Sequence, residues 1–266
     1  MLTISPACVK CGICAEICPL SIIGMDESGP KMLNKDACIR CGHCVASCPH
    51  AALDNSLTPL ADQVPLGDFP VLDADTAARF LRSRRSVRRY KPDPVPQETL
   101  LRLLDIARFA PTGGNTQGLS YLVVSDRALM RKLCDATLTW MEEQVRDNVP
   151  WIQPYAHIVR RYRQGGHDIF RGAPHLIVAY APKNFPIGEK NTRYSLAYAE
   201  LYAPALGLGT CWSGFFEMCA FAGYPAIYDL LAVPENMVIT GAIFCGYPVY
   251  RYHRLVDRNP LVVDWR

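Results

Sequence analysis

From residue 94 onward the apolar positions alternate between two spacings, and each spacing predicts a different element. Residues 94–111, PVPQETLLRLLDIARFAP, place Leu100, Leu103, Leu104 and Ala107 on one helical face and Glu98, Arg102 and Asp105 on the other. Proline opens the first turn and Pro111 ends the pattern. The runs LSYLVVSD (119–126), PHLIVAYAP (174–182) and NMVITGAIFCGYP (236–248) lack that period and predict short buried strands. Lys190 to Leu206 returns to helical spacing, with Pro204 predicting a kink or an early stop. Residues 73–84, DADTAARFLRSR, predict a further helix capped by Asp73 or Asp75. Helices alternating with buried strands predict an α+β layered domain, and neither a phosphate loop nor a GxGxxG signature interrupts it. PTGGNTQG (111–118) reads as a loop. GLGTCWSG (207–214) reads as a turn in which Gly207, Gly209 and Gly214 let the backbone approach a flat ligand.

The first fifty residues follow another logic. Eight of the twelve cysteines lie there, in ACVKCGICAEICP (7–19) and its repeat ACIRCGHCVASCP (37–49). Three thiolates within seven residues can occupy three corners of one metal cluster, but a fourth from the same turn would strain the backbone. The run C-x2-C-x2-C-x3-C-P resolves this by exchange, its fourth cysteine serving the other cluster. One [4Fe-4S] cluster is thus expected on Cys8, Cys11, Cys14 and Cys48, and a second on Cys38, Cys41, Cys44 and Cys18. Gly12 and Gly42 permit the tight bend, and Pro19 and Pro49 end each run. Structural zinc also uses C-x2-C pairs, but usually two of them across a longer loop, and a dithiol redox motif explains fewer of the cysteines. The stretches SIIGM (21–25) and PKML (30–33) predict short strands between the cluster loops. So small a domain buries little core, so the clusters are expected to supply much of its folding free energy.

Composition sets the organisation. Half of the 266 residues are apolar, enough for a full core, and the length favours two unequal domains. Residues 54–75, DNSLTPLADQVPLGDFPVLDAD, hold no period for long and read as a linker or surface strap. The expected division is residues 1–55 as a ferredoxin-like domain, 56–75 as linker and 76–266 as the α+β domain. Six cations crowd residues 82–91, RSRRSVRRYK, yet the net charge is only +3 and anionic clusters would lower it, which argues against nucleic acid as a partner. The opening MLTIS has no basic stretch before an apolar run, and MVITGAIFCGYPVY (237–250) is too short to span a bilayer. A cytoplasmic protein without membrane contact is expected, where clustered thiols are metal ligands more often than disulfides.

Five pieces in order, RRSVRRY (84–90), ARFAPTGGNTQ (107–117), GAPHLIV (172–178), ALGLGTCWSG (205–214) and GYPVYRYHR (246–254), resemble the FMN-dependent nitroreductase family over about residues 76–266. Residues 1 to about 55 resemble bacterial two-cluster [4Fe-4S] ferredoxins, so the whole chain resembles nitroreductase-family proteins with a fused N-terminal ferredoxin domain. The resemblance implies a central, mostly antiparallel sheet flanked by helices, and a homodimer with FMN at the subunit interface. It implies that Arg84, Arg85, Ser86 and Arg88 hold the flavin phosphate, ribityl chain and pyrimidine edge, where cations offset negative charge. Asn115 and Gln117 match the loop that hydrogen-bonds the ribityl chain and ring edge. Gly209 and Thr210 match the turn whose backbone N–H meets flavin N5, and Arg254, with Arg251, matches the cation completing the phosphate site. Where the family commonly has Pro-Trp after this loop, the chain has Gly118 and Leu119, implying a different pocket wall.

Trp212 reads as packing, and Cys134, Cys211, Cys219 and Cys245 as small buried hydrophobes. The six histidines show no metal-ligand spacing. The expected function is an oxidoreductase in which two [4Fe-4S] clusters pass electrons to FMN and on to a small two-electron acceptor, nitroaromatic or quinone-like, with ferredoxin or another reductant as donor. No side chain is expected to act as acid or base, because flavin carries the chemistry. The other classes in view are an electron relay to a protein partner and a redox sensor governing dimer assembly.

Overall fold

The computed structural model describes residues 2–67, 72–165 and 169–266; residues 68–71 of the expected linker and His167 lie outside the described residues. The chain forms two compact units. One comprises the described residues before Leu72 together with Gly114–Thr116, and the other Leu72–Gly113 with Gln117–Arg266.

The first unit runs β1 (Leu2–Ile4), α1 (Ile13–Glu16), β2 (Ile23–Asp26), β3 (Gly29–Met32), α2 (His43–Ala46) and β4 (Leu53–Asn55). β1 pairs with β4 and β2 with β3, both antiparallel. Its two halves repeat at a spacing of thirty residues even in their backbone angles. Lys10 and Arg40, Gly12 and Gly42, and Ser21 and Ala51 all adopt positive φ. Gly12 (φ 82°) and Gly42 (φ 74°) each stand at the start of a one-turn helix, a conformation other residues adopt at a steric cost. Its buried apolar cluster is small, made of Ile23, Cys44, Val45 and Leu53, with Ile22 and Ala52 also buried. Beyond β4 the chain makes a 3-10 turn at Leu60–Asp62. The expected linker therefore begins inside this unit's own folded edge.

The second unit contains α3 (Ala74–Ser83), α4 (Gln97–Ala107), β5 (Ser120–Val124), α5 (Arg127–Arg146), α6 (Ala156–Arg163), β6 (His175–Pro182), α7 (Gly188–Tyr202), β7 (Gly209–Trp212), α8 (Gly214–Phe221), α9 (Pro225–Leu231) and β8 (Met237–Gly246). Asp73 caps α3 by accepting from Thr76 N–H at 2.9 Å, starting that helix within the expected linker. The sheet order is β5-β6-β8-β7, antiparallel throughout. Successive side chains point to opposite faces, so a strand covered on both faces must be apolar at every position. Leu176 and Val178 pack with Met130, Leu133 and Phe216 on one face. Ile177 and Ala179 pack with Leu100, Leu103, Leu196 and Ala199 on the other. α7 ends at Tyr202, before the helix expected to Leu206, because Pro204 has no N–H to give; a 3-10 turn, Ala203–Leu206, follows and Gly207 (φ 71°) closes it. Among the described residues no helix is long and apolar enough to cross a membrane.

His175, at the start of β6, locks the segment before α4 to the sheet. Its Nε2 accepts the Val95 N–H at 2.8 Å, and its Nδ1 lies 2.7 Å from Ser125 Oγ. Only a ring unprotonated at Nε2 can accept that bond, and burial holds its pKa below the usual 6.5. The unfolded chain therefore binds a proton that the folded chain refuses. This contribution is complete above about pH 6.5 and is lost as pH falls through the lower folded value. Urea unfolding between pH 7.5 and 5 should show a decline that His175→Gln flattens.

Candidate functional site

Two cavities in the first unit divide the eight cysteines four and four. One is lined by Cys8, Cys11, Cys14 and Cys48, and the other by Cys18, Cys38, Cys41 and Cys44. Each therefore takes three sulfurs from one run and the fourth from the other. Among the described residues no group of three or more His, Cys, Asp or Glu is arranged for a single metal ion. A caged cluster fits this donor set, since four sulfurs ring a space rather than meet at a point. Ala52 N–H donates to Cys48 Sγ at 3.2 Å. Burial raises the Cys48 pKa, but N–H groups of Ala52, His50 and Leu53 outweigh it and leave the thiol below its usual value, favouring the thiolate that binds iron. Burial raises Cys14 and Cys44. Within the same unit the side-chain amide of Asn115 donates to the carbonyls of Ile39 (3.0 Å) and Arg40 (2.9 Å).

In the second unit the cationic run is fastened along β7. Ser86 bridges Thr210 in parallel, Val87 N–H donates to Thr210 O at 2.8 Å, and Lys91 N–H to Tyr247 O at 2.8 Å. Gly209 is what permits this approach, for a Cβ there would stand 2.4 Å from Val87 Cγ2. Gly209→Ala must push Val87 and its bonded segment off the strand. The expected cost is roughly 1–3 kcal/mol by thermal unfolding, as for overpacking a tight core.

Behind that strand lies a polar chain that sequence reading missed. Glu200, only 4% exposed, accepts from Trp212 Nε1 (2.6 Å) and Thr210 Oγ1 (3.2 Å) and pairs with Arg84 (3.5 Å). Burial raises its pKa, while Arg84 and the two donors oppose the shift. The other side of the indole carries Arg193, 4.5 Å above the ring, and Arg193 donates to both oxygens of buried Glu217 at 3.0 Å. Glu217 also accepts Ala242 N–H at 2.8 Å; burial raises its pKa against these partners. Trp212 is thus tethered as well as packed. One sequence signal could have exposed Glu200: an acid on the apolar stripe Leu196, Ala199, Ala203.

This wall opens on a cavity of about 470 Å³, lined by Arg88, Trp151, Tyr155, Arg171, Cys211 and Trp212–Phe215, with further apolar residues behind. A hydroxyl, Ser213 Oγ, is buried without a partner at this wall. Two cations, aromatic walls and an orphaned hydroxyl fit a flat, negatively charged ligand, and the volume suits such a site. Arg88 is the predicted cofactor residue that lines it. Thr210 is buried, inside the sheet, so the cavity wall starts at the next residue rather than at Gly209 and Thr210. The Arg85 guanidinium lies 5.6 Å from the Tyr252 ring centre with Nε unpartnered, and Tyr252 OH donates to Ser86 O at 3.0 Å. Gln117 is exposed, in positive φ (53°), its N–H bonded to Thr112 Oγ1 at 3.1 Å. Arg251 and Arg254 are exposed in a C-terminal stretch without regular structure. Cys219 and Cys245 are pushed up to about 12 by burial and so stay neutral.

Known proteins bear on both units. Residues 81–247 match the nitroreductase family, and residues 7–53 match the 4Fe-4S dicluster domain. Over 213 residues the chain is 31% identical to a protein of Thermus thermophilus named NADH dehydrogenase, covering 74% of this chain and 98% of that one. An FMN-bound nitroreductase from Bacteroides fragilis superposes with a TM-score of 0.58 at 18% identity, over 71% of this chain and 98% of its own. Another FMN-bound nitroreductase, from Desulfitobacterium hafniense, gives 0.57 at 20% identity, over 70% and 97%. These two likenesses concern the fold. The match over residues 81–247 covers well over half of the chain, which therefore belongs to the nitroreductase family, as an oxidoreductase with an N-terminal 4Fe-4S dicluster domain.

Proposed function

We propose that the chain is a ferredoxin-linked oxidoreductase that binds FMN in its second unit and two [4Fe-4S] clusters in its first, and reduces a small nitroaromatic or quinone-like acceptor. When bound, the clusters take up electrons singly and the flavin delivers them in pairs. The observation that carries this reading is the four-and-four partition of cysteines between two cavities, in a chain that also carries a family domain whose structural neighbours bind FMN.

Cys8, Cys11, Cys14 and Cys48 hold one cluster, and Cys38, Cys41, Cys44 and Cys18 the other. In the second unit Arg88 and Arg171 set a positive field in the cavity, which favours an anionic reduced cofactor. Ser213 Oγ supplies a hydrogen bond that no protein group satisfies. Arg84 has much of its charge taken by Glu200, so its role is to orient the Arg85–Arg88 segment as well as to face a phosphate. Aromatic residues Trp151, Tyr155 and Phe215 keep water from the ring faces. A homodimer places the exposed Arg251 and Arg254 of each chain near shared cofactor sites.

Anaerobic single-turnover mixing tests the reading. Protein reduced beforehand and mixed with a nitroaromatic or a quinone should consume acceptor in proportion to its bound flavin. Acceptance of electrons by a protein partner alone, with no small acceptor consumed, would favour a relay.

A further inference from the structure

Two arginines reach the large cavity of the second unit, and they come from different parts of the chain. Arg88 belongs to the cationic segment fastened along β7, whereas Arg171 stands in the turn that leads into β6. No Asp or Glu lines that cavity, and among the described residues the ion pairs include neither cation. The anionic ring of a reduced flavin needs a counter-charge, which Arg88 supplies from the segment that faces the cofactor. The charge of Arg171 is left for another anion.

The backbone holds Arg171 in place at a cost. Its φ is 65°, in the left-handed region that favours glycine, and Gly172 follows at 69°. Phe170, 2% exposed, pins the turn from the core side, meeting Phe216 edge-on at 6.1 Å and Phe244 at 5.0 Å. Strain kept at a cavity rim, with an arginine where a glycine would be relaxed, points to a use for the guanidinium. Arg171 is half-buried while Arg88 is exposed, so water screens its charge less. Trp151, Tyr155 and Phe215 give the same cavity aromatic surface, Tyr155 and Phe215 standing edge to face at 5.4 Å. Ser213 Oγ, buried and unpartnered on that wall, is a second group that awaits a ligand.

A planar guanidinium beside aromatic surface suits a carboxylate carried on an aromatic ring, which it grips through two parallel N–H···O bonds. We infer that Arg171 is a specificity residue that binds the carboxylate of the acceptor, so that the cavity selects anionic aromatic acids over neutral aromatics. This inference deepens the FMN reading above and rests on it.

The test titrates benzoate, which cannot take up the electrons, and its neutral counterpart benzamide into oxidised full-length protein. Flavin absorbance reports binding, and flavin content is assayed first. Wild-type protein should bind benzoate more tightly than benzamide. Arg171→Gly, which relieves the left-handed strain, and Arg171→Gln, which keeps most of the reach without the charge, should each weaken benzoate about ten- to hundredfold relative to benzamide, as for lost hydrogen bonds to a charged group. Arg171→Lys keeps the charge without the fork and should retain part of the preference. The ratio of kcat/KM for 4-nitrobenzoate over its methyl ester should fall in the same order. Equal wild-type affinities for benzoate and benzamide, or an undiminished preference in the Gly and Gln variants, overturns the role. Loss of flavin from both of those variants also overturns it, by making Arg171 a cofactor residue. Wild-type protein that carries no flavin overturns the FMN reading instead.

Discussion

Cys11→Ala should abolish electron uptake from a one-electron protein donor while leaving chemically reduced protein able to reduce its acceptor at the wild-type rate. Cys11 is one of four sulfurs around its cavity and the exposed one, so its loss opens the cage at the solvent side. The effect should reach beyond that cage. Cys48, in the same cavity, belongs to the second run, so a distorted first site pulls on the loop that forms the second. With a buried apolar cluster as small as Ile23, Cys44, Val45 and Leu53, flanked by Ile22 and Ala52, apolar burial cannot hold the unit, and ligand bonds supply what is missing. Hydrogen exchange should therefore show β1 to β4 unprotected in the variant, with the β5-β6-β8-β7 sheet protected as before. Normal reduction by the one-electron donor would refute the proposed path of uptake.

Glu200→Ala should cost roughly 3 kcal/mol, the low end of the penalty for removing one partner from a buried charge pair, because the Arg84 side chain left behind is 27% exposed. It strands Arg84, Thr210 Oγ1 and Trp212 Nε1 at once. For a unit of this size the loss corresponds to a fall in Tm of roughly 10 °C. The damage should also reach the cavity, because Trp212 forms part of its wall and the Arg84–Arg88 segment runs beside β7. Flavin content should fall with stability. Glu200→Gln keeps an acceptor for the indole and should lose less than half as much; equal losses in the two variants would show that only the charge on Arg84 matters.

Elements set by a continuous apolar run or a helical stripe were legible in the sequence because tertiary packing uses the same pattern. β6 reads as buried since Leu176 and Ile177 serve opposite layers, and α4 reads as amphipathic since its Leu100, Leu103 and Ala107 face is buried. β7 escaped notice: four residues beginning with glycine, in a stretch that reads as a turn, carry no period. The cysteine partition was legible because ligand spacing is a local constraint. The rest of the site depends on long-range meetings. Asn115 bonds carbonyls some 75 positions away, and Trp151 and Tyr155 join the cavity of Arg88 through the fold alone, so no local signal marks them. Gly209 was legible as a place of close approach, but the neighbour it admits is Val87.

The most direct measurement is the visible spectrum of protein purified without oxygen, together with its iron, sulfide and flavin content. The account predicts brown protein with iron and sulfide for two four-iron clusters and one FMN per chain, the iron-sulfur absorbance bleaching on reduction. Colourless protein, or zinc in place of iron on elemental analysis, would contradict it.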